Sequence, residues 1–331
     1  MPVMTMREAV RSALAEEMRC DPDVFVLGED VAAYGGTLQV TAGLWGEFGD
    51  DRVIDTPLSE VASAGAAIGA AMMGMRPVLE IMFADFIPLA LDQILNNAAK
   101  MCYAYDGEMS VPMVLRAPFG AGVRSGMHHC QNLEAWFAHI PGIKVVMPTT
   151  PEDAKGLMKA AIRDPNPVIF LEHKLLYGVR GEVPDGDYVV PIGKAAVRKE
   201  GKDISIVACG AMTPKALEAA KELASSSGID SEVIDLRSIR PLDEKTIIES
   251  VTKTGRLLIV HEACQTGGIG GEIAAVVARD ALGYLDAPIE RVAAPDTPVP
   301  FSPTLEDFFI PHTKTLIERA KAMFSPLWKR A

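Results

Sequence analysis

A strand, a turn and a helix follow one another within residues 52–75, which read RVIDTPLSEVASAGAAIGAAMMGM. The strand is predicted to end at Asp55, because Pro57 cannot continue a strand interior. Ser59 is a favourable N-cap residue, so a helix is predicted to begin next to it. The helix, Val61 to Met75, carries no charged side chain. We therefore expect it to be buried, with Glu60 held at its edge.

Glu60 lies between the strand and the helix, and two interpretations of this carboxylate stay open. Open α/β sheets bind ligands at the carboxyl ends of their strands, which favours a ligand-binding role. Alternatively, the carboxylate only interacts with the positive end of the helix dipole, an effect of about 0.3–1 kcal/mol. Glu60 and its neighbours alone do not distinguish the two roles, so motifs elsewhere in the chain are needed.

The composition indicates a large globular protein with an acidic surface. The chain has 331 residues, of which 49% are hydrophobic and 23% are charged, which is enough for two domains. A net charge of −12 argues against nucleic-acid binding, which requires a basic face. The charges between Arg7 and Glu17 have helical spacing and do not resemble a secretory signal. No apolar run reaches the ~18 residues of a membrane span, so no membrane partner is expected.

The cysteines bear on the compartment. There are five, an odd number, and they are scattered without a CxxC spacing. They indicate neither a disulfide framework nor a zinc site, and a reducing, cytoplasmic location is expected. These residues are Cys20, Cys102, Cys130, Cys209 and Cys264.

Short apolar strands alternate with helical segments along the chain, which predicts parallel sheets with crossover helices. The first series contains strands at 52–55, 77–83, 113–117, 144–147 and 168–172, with a helix from Thr150 toward Arg163 that has Pro151 at its first position. A turn-rich connection follows at 175–191. The second series contains strands at 204–208, 231–236, 256–260 and 289–293, separated by helices at 214–226, 244–252 and 272–282. We therefore predict one domain over residues 1–189 and another over residues 190–331.

The second domain contains a glycine-rich turn, Gly267 to Gly271, between a strand and a helix. It superficially resembles a dinucleotide-binding turn, but the glycine spacing is not G-x-G-x-x-G. No acidic residue closes a strand about twenty residues later, as contact with the ribose would require. A stand-alone NAD-binding oxidoreductase is thus a disfavoured alternative.

A second glycine-rich loop, in the first domain, reads GAGVRSGMHHCQ over residues 120–131 and is predicted to lead into a helix. Glycines allow the backbone to approach a ligand, and histidine exchanges protons near neutral pH. Adjacent histidines cannot share one helix face, so at most one is expected to point into a cleft. Two other interpretations stay open: His128 and His129 as surface residues at a helix start, and Cys130 as a nucleophile. Zinc binding is less favoured, since no second His or Cys follows at the required spacing.

Long, ordered motifs along nearly the whole chain resemble those of the β subunits of thiamine-diphosphate-dependent E1 dehydrogenases. The motifs are IDTPLSE (54–60), LDQI (91–94), LEAWFAHIPGIKVV (133–146), PVIFLEHK (167–174), DLRSIRPLD (235–243) and TPVP (297–300).

This resemblance implies a transketolase-like thiamine-binding α/β fold, in which a parallel-sheet pyrimidine-binding domain precedes a smaller α/β C-terminal domain. It implies an α2β2 heterotetramer with thiamine diphosphate shared between the subunits, Mg²⁺ held by the α subunit, and a lipoyl acyltransferase, E2, as acyl acceptor. The chain has no Gly-Asp-Gly motif for binding a diphosphate itself, so it is expected to be active only with an α subunit.

The resemblance also implies roles for individual residues. Glu60 matches the glutamate that hydrogen-bonds N1′ of the aminopyrimidine, Phe86 matches the aromatic residue that stacks on that ring, and Leu58 and Met82 match its apolar neighbours. His129 matches the family's active-site histidine. Here it lies in His128-His129-Cys130-Gln131, where the family usually has Gln-His-Ser-Gln, so its hydrogen bonding is expected to differ.

A structural K⁺ ion is also implied by the resemblance, with a site at Met113, Ala161, Ile162, Asp164 and Asn166. Carbonyl oxygens at helix ends suit hard cations. The alternative is that residues 164–167 only form a turn that ends a helix.

The family implies oxidative cleavage or decarboxylation of a small 2-oxo compound. Residues 297–307 and 172–178 look most like acetoin dehydrogenase β subunits, and members acting on pyruvate or branched-chain 2-oxo acids are close behind. A subunit concerned mainly with assembly and E2 docking is the other alternative, since the charge of −12 could face a basic binding domain.

Overall fold

A computed structural model describes residues 1–325 of the chain, and residues 326–331 of the predicted second domain lie outside the described part. Two compact units are distinguished by their internal contacts. The first comprises residues 1–119 and 136–192, and the second comprises residues 120–135 and those from 193 onward. The glycine-rich loop at 120–131 thus packs with the second unit, although it precedes residue 189. The boundary at 189/190 itself stays a prediction.

The strands of the first unit are β1 (Val3–Thr5), β2 (Val24–Gly28), β3 (Val53–Asp55), β4 (Arg76–Glu80), β5 (Val114–Phe119), β6 (Lys144–Val146), β7 (Val168–His173) and β8 (Arg180–Glu182). Six of these described strands form a parallel sheet in the order β3-β2-β4-β5-β7-β6. β1 and β8 form a separate antiparallel pair. Because the sheet is parallel, the carboxyl ends of β3, β2 and β4 lie side by side.

The helices of the first unit are α1 (Met6–Cys20), α2 (Leu44–Phe48), α3 (Glu60–Met72), α4 (Met101–Ala104) and α6 (Pro151–Arg163), while α5 (Glu134–Ala138) spans the unit boundary. A 3-10 segment covers Ala84–Ala90 and packs against α3. Helices α1 and α6 pack on the sheet around a core of side chains such as Val26, Leu157 and Phe170.

The strands of the second unit are β9 (Ala196–Lys199), β10 (Ile204–Ala208), β11 (Ser231–Asp235), β12 (Ser238–Arg240), β13 (Leu257–Cys264) and β14 (Glu290–Ala294). Its other helices are α7 (Met212–Ser227), α8 (Glu244–Thr254), α9 (Gly270–Asp280), α10 (Pro303–Phe309) and α11 (Thr313–Ala322). The sheet order is β14-β13-β10-β11-β9, and only the β9 edge is antiparallel among these described strands. The α/β class with mostly parallel sheets is therefore confirmed.

Several local predictions need correction. β2 was not predicted, although its apolar run Val24–Gly28 is a strand signal. The helix after Glu60 ends at Met72 rather than Met75, because Gly74 has a φ of +97°. Ser59 precedes that helix, but its side chain makes no capping hydrogen bond. By contrast, the predicted start of α6 is confirmed, since the Thr150 hydroxyl accepts the Asp153 N–H.

No helix within residues 1–325 combines the length and apolar character that a membrane span requires.

Candidate active site

The first candidate site lies at the carboxyl ends of the adjacent strands β3, β2 and β4. β3 ends at Asp55, and α3 begins with Glu60 after four intervening residues. β2 ends at Gly28 and is followed by Glu29, while β4 leads to Met82 and Phe86. Gly28 pairs with Asp55 on one side and with Glu80 on the other. The sheet therefore places Glu29 between the segments that carry Glu60 and Phe86.

Backbone and side-chain hydrogen bonds hold the segment before Glu60 in place. The Thr56 N–H donates to the Gly28 carbonyl at 2.9 Å, and the Asp55 carboxylate accepts the Ala32 N–H at 2.8 Å. The Ser63 hydroxyl donates to the Ser59 carbonyl at 3.0 Å. The Thr56 hydroxyl is buried and has no partner within residues 1–325. It is a hydrogen-bonding group available to a ligand at this edge.

Two carboxylates interact electrostatically at this edge. Burial, followed by the negative charges of Glu60 and Asp30, raises the pKa of Glu29. Glu60 is half-buried. Glu29 was not predicted as a site residue. Its only signal in the sequence is its place directly after β2, a strand that was not predicted.

Apolar and aromatic side chains follow β3 and β4 at the same edge of the sheet. Leu58 is 81% exposed, whereas Met82 and Phe86 are half-buried. The Phe83 and Phe86 rings pack edge to face, with centroids 6.0 Å apart, and the Lys174 ammonium lies 5.3 Å from the Phe83 centroid. An apolar surface beside a carboxylate fits a ring that is both aromatic and a hydrogen-bond partner.

One face of α3 is exposed, contrary to the prediction that the helix is buried. The face carries Ala62, Ala66, Gly69 and Met73, and Met73 is 85% exposed. Its opposite face, with Ala64, Ala67, Ile68 and Ala71, is buried. The absence of charged residues on α3 after Glu60 therefore cannot be explained by burial within this chain alone.

A buried ion network joins β4, β5 and β7 and was missed in the sequence. Arg116 is 1% exposed; its Nε and one Nη donate to the Glu172 carboxylate at 2.7 and 2.8 Å, and its other Nη donates to Glu80. Arg116 also donates to the Tyr177 hydroxyl at 3.3 Å. Burial raises the pKa of Glu80, and Arg116 opposes this effect. Charged residues inside otherwise apolar strands were the available signal.

The predicted active-site histidine lies in the loop of the second unit. His128 is exposed and His129 is half-buried, and both lie in a turn rather than at a helix start, because α5 begins only at Glu134. Cys130 is fully buried in the core of the second unit. Its burial disfavours a nucleophilic role, since a reactive thiol needs access to substrate.

The predicted K⁺ residues lie near the end of α6 and the start of β5. The Ile162 carbonyl accepts an Arg76 Nη at 2.8 Å, and the Met113 carbonyl accepts the Val168 N–H at 3.0 Å. The Asp164 carboxylate pairs with Lys144 and accepts the Asn166 N–H at 2.9 Å. That geometry forms the helix-ending turn. No group of three or more His, Cys, Asp or Glu side chains within residues 1–325 could hold a metal ion.

Known proteins are similar to this chain in architecture and in sequence. Residues 3–180 match the transketolase pyrimidine-binding domain, and residues 193–316 match the transketolase C-terminal domain. The pyruvate dehydrogenase E1 component subunit beta of Rhizobium meliloti is 52% identical over 324 residues, which are 98% of this chain and 70% of that protein. The chain belongs to the E1 β-subunit family. The resemblance read from its motifs, the transketolase-like fold and the thiamine-dependent E1 class are confirmed.

Two other E1 β relatives are named for different substrates, and their sequence identity to this chain is almost the same. The 2-oxoisovalerate dehydrogenase subunit beta of Bacillus subtilis is 51% identical, with 94% of this chain and 95% of that protein covered. The acetoin:2,6-dichlorophenolindophenol oxidoreductase subunit beta of Cupriavidus necator is 50% identical, with 96% of each covered.

Solved structures are similar along the whole chain. A split-gene transketolase, described as an inactive beta4 tetramer, has a TM-score of 0.80 at 26% identity and covers 99% of both chains. The transketolase of Leishmania mexicana has a TM-score of 0.70 at 17% identity, covers 98% of this chain and 46% of that one, and shares the fold alone. The glycine-rich turn at 267–271 thus lies inside a transketolase C-terminal domain.

Proposed function

We propose that this E1 β subunit binds the aminopyrimidine part of thiamine diphosphate at the edge formed by β3, β2 and β4. Glu60 would hydrogen-bond the ring, Phe86 would stack on it, and Leu58 and Met82 would line it. The single observation that carries this proposal is that the half-buried Glu60 follows β3 at the edge where Glu29 and Phe86 follow the adjacent strands β2 and β4. When bound, thiamine diphosphate supplies a carbanion centre that attacks the substrate carbonyl.

The Glu60 carboxylate would control a proton at this edge. Glu60 would share a proton with N1′ of the pyrimidine through a hydrogen bond. His129 would serve as a proton carrier during acyl transfer, since histidine titrates near neutral pH.

The proposed partners follow from the same surface. An α subunit would cover the exposed, uncharged face of α3, hold Mg²⁺ and the diphosphate, and form an α2β2 heterotetramer. A lipoyl acyltransferase E2 would accept the acyl group, and the acidic charge of the chain favours a basic docking partner. A cytoplasmic location is supported by the scattered cysteines.

The proposed substrate is a small 2-oxo compound, either a 2-oxo acid of the pyruvate class or acetoin. The relatives named for pyruvate, 2-oxoisovalerate and acetoin are 52%, 51% and 50% identical, and this range does not separate the substrates. The experiment is to co-express the chain with its α subunit, add thiamine diphosphate and Mg²⁺, and measure dye reduction with acetoin, pyruvate and a branched-chain 2-oxo acid. Turnover of one substrate that requires α supports the proposal. A stable complex without turnover of any of them contradicts it.

The variant Glu60→Gln separates a catalytic role from a purely assembling one. We expect the α-containing complex to form normally and turnover to fall below detection, because a glutamine cannot hold the proton. Glu249→Gln, at an exposed position on α8, is the matched control and should leave turnover unchanged. Full activity of the Glu60→Gln complex would favour the assembly function instead.

We also propose that K⁺ binds the carbonyls of Met113, Ala161 and Ile162 together with Asp164 and Asn166. The carbonyl oxygens at the end of α6, which suit a hard cation, support this. Thermal unfolding in KCl should occur at a higher temperature than in NaCl of equal ionic strength. Equal unfolding temperatures would favour the helix-ending turn alone.

A further inference from the structure

The loop that carries His128 and His129 has no regular secondary structure, yet buried carboxylates of the second unit bind its backbone. Glu306, on α10, is fully buried. Its Oε1 accepts the Gly122 N–H at 2.8 Å, and its Oε2 accepts the Arg124 N–H at 3.2 Å and an Arg124 Nη at 2.6 Å. One carboxylate thus accepts hydrogen bonds from three donors, all of which precede the histidines in the sequence.

Glu262, on β13, binds the loop on both sides of the histidines. It is 4% exposed, and its Oε1 accepts the Ala121 N–H at 2.6 Å and the Asn132 Nδ2 at 3.1 Å. We call Glu262 and Glu306 the carboxylate clamp. The clamp residues lie far from the loop in sequence, so the loop conformation depends on the folded second unit.

Further contacts define the shape of the loop between these bonds. Arg124 has a φ of +61°, and its guanidinium also donates to Asp307 at 2.6 Å and to the Pro303 carbonyl at 3.0 Å. Gly126 has a φ of +73°, and a Cβ at this position would lie 2.9 Å from the Phe301 ring. A positive φ at a non-glycine residue is strained unless its surroundings hold it, and here the clamp does so.

We propose that Glu306 and Glu262 are positioning residues that hold His129 where proton transfer requires it. The inference rests on the proposed role of His129. A carboxylate offers only acceptor oxygens, so it can bind several backbone and guanidinium donors at once. A glutamine in its place would present an NH₂ group to these donors and leave at least one of them unpaired. The loop would then shift while the rest of the unit kept its fold.

The test is a double-mutant cycle in the complete complex with α, thiamine diphosphate and E2. We expect Glu306→Gln to lower kcat for acyl transfer by roughly 10²-fold, since a displacement of about 1 Å at a reacting group costs that much. KM of the Glu306→Gln complex for the 2-oxo substrate should stay unchanged. One limb of the pH dependence of kcat should disappear in His129→Ala, and the same limb should shift along the pH axis in Glu306→Gln. Glu318→Gln, at an exposed position on α11, should behave as wild type.

The decisive comparison is Glu306→Gln in the His129→Ala background. If Glu306 acts through His129, the double variant is no slower than His129→Ala alone. A further loss equal to that of Glu306→Gln in the wild type would overturn the inference. Should the Glu306→Gln complex fail to assemble, Asn132→Ala removes one clamp contact with less disruption and enters the same cycle.

The two proposals fail in different ways. Full activity of His129→Ala shows that the proposed role of His129 is wrong, and the inference falls with it. A slow His129→Ala together with an unimpaired Glu306→Gln overturns the positioning role and leaves the proposed function intact.

Discussion

At the scale of single residues, the fold controls the protonation of a carboxyl group beside the histidine loop. Glu134 is 1% exposed, and its Oε2 has no hydrogen-bond partner within residues 1–325. Burial, with a contribution from Glu262, raises the pKa of Glu134 from 4.5 to about 7. Holding the ionised form of this buried group costs about 3 kcal/mol, at about 1.4 kcal/mol per tenfold change in proton affinity.

This raised pKa predicts how stability depends on pH. The unfolded chain releases the Glu134 proton near pH 4.5 and the folded chain only near pH 7, so the free energy of unfolding falls between these values and is level above them. Relative to the wild type, Glu134→Gln should gain about 3 kcal/mol between pH 4.5 and pH 8 in urea unfolding. Glu249→Gln should show no such gain. If the difference in unfolding free energy between Glu134→Gln and the wild type were the same at every pH, the prediction would be contradicted.

At the scale of elements, α6 shows how local sequence and long-range contacts combine. Thr150, Pro151 and Asp153 start the helix. Its buried residues Lys155 and Lys159 then reach α1, where both ammonium groups pair with the Glu16 carboxylate at 2.7 and 3.0 Å. The start is therefore encoded locally, whereas the burial of two lysines depends on α1.

Thr150→Ala tests the local part. We expect a loss of about 1 kcal/mol in the free energy of unfolding, because the Asp153 N–H loses its side-chain acceptor. Thr252→Ala, at an exposed position inside α8, removes the same atoms without a cap and should change stability by less than about 0.5 kcal/mol. Equal losses in the two variants would show that the cap contributes nothing.

At the scale of the whole molecule, the uncharged face of α3 is a feature that a single chain does not explain. Small residues at Ala62, Ala66 and Gly69 would allow another backbone to approach closely, and Leu58 lies exposed before the same helix. Such a face fits the α subunit proposed as partner.

Ala66→Arg should prevent or weaken association with the α subunit while leaving the fold of the separate chain intact. A buried guanidinium without a partner would be costly in the complex, whereas in the separate chain it stays in water. Light scattering of the co-expressed subunits measures the effect. Ala224→Arg, exposed on α7, is the matched control. An Ala66→Arg complex of unchanged mass would show that this face is not the contact surface.

Much of the fold was predictable, because it depends on signals that act over a few residues. Apolar runs located most of the strands, and a capping threonine with a following proline located α6. The glycine-rich loop at 120–131 was predicted and α5 follows it at Glu134, but the bonds from its backbone to Glu262 and Glu306 were not predicted. No local pattern contains those contacts.

The sequence by itself determined the alternation of strands and helices, the family, and the place of Glu60 after a strand. Only the tertiary structure decided that the charge of Glu60 acts on Glu29, that Arg116 is buried between Glu80 and Glu172, and how the histidine loop is held. The physical reason is distance along the chain. Propensities and caps act between near neighbours, whereas burial and ion pairing join residues that only the complete fold brings together.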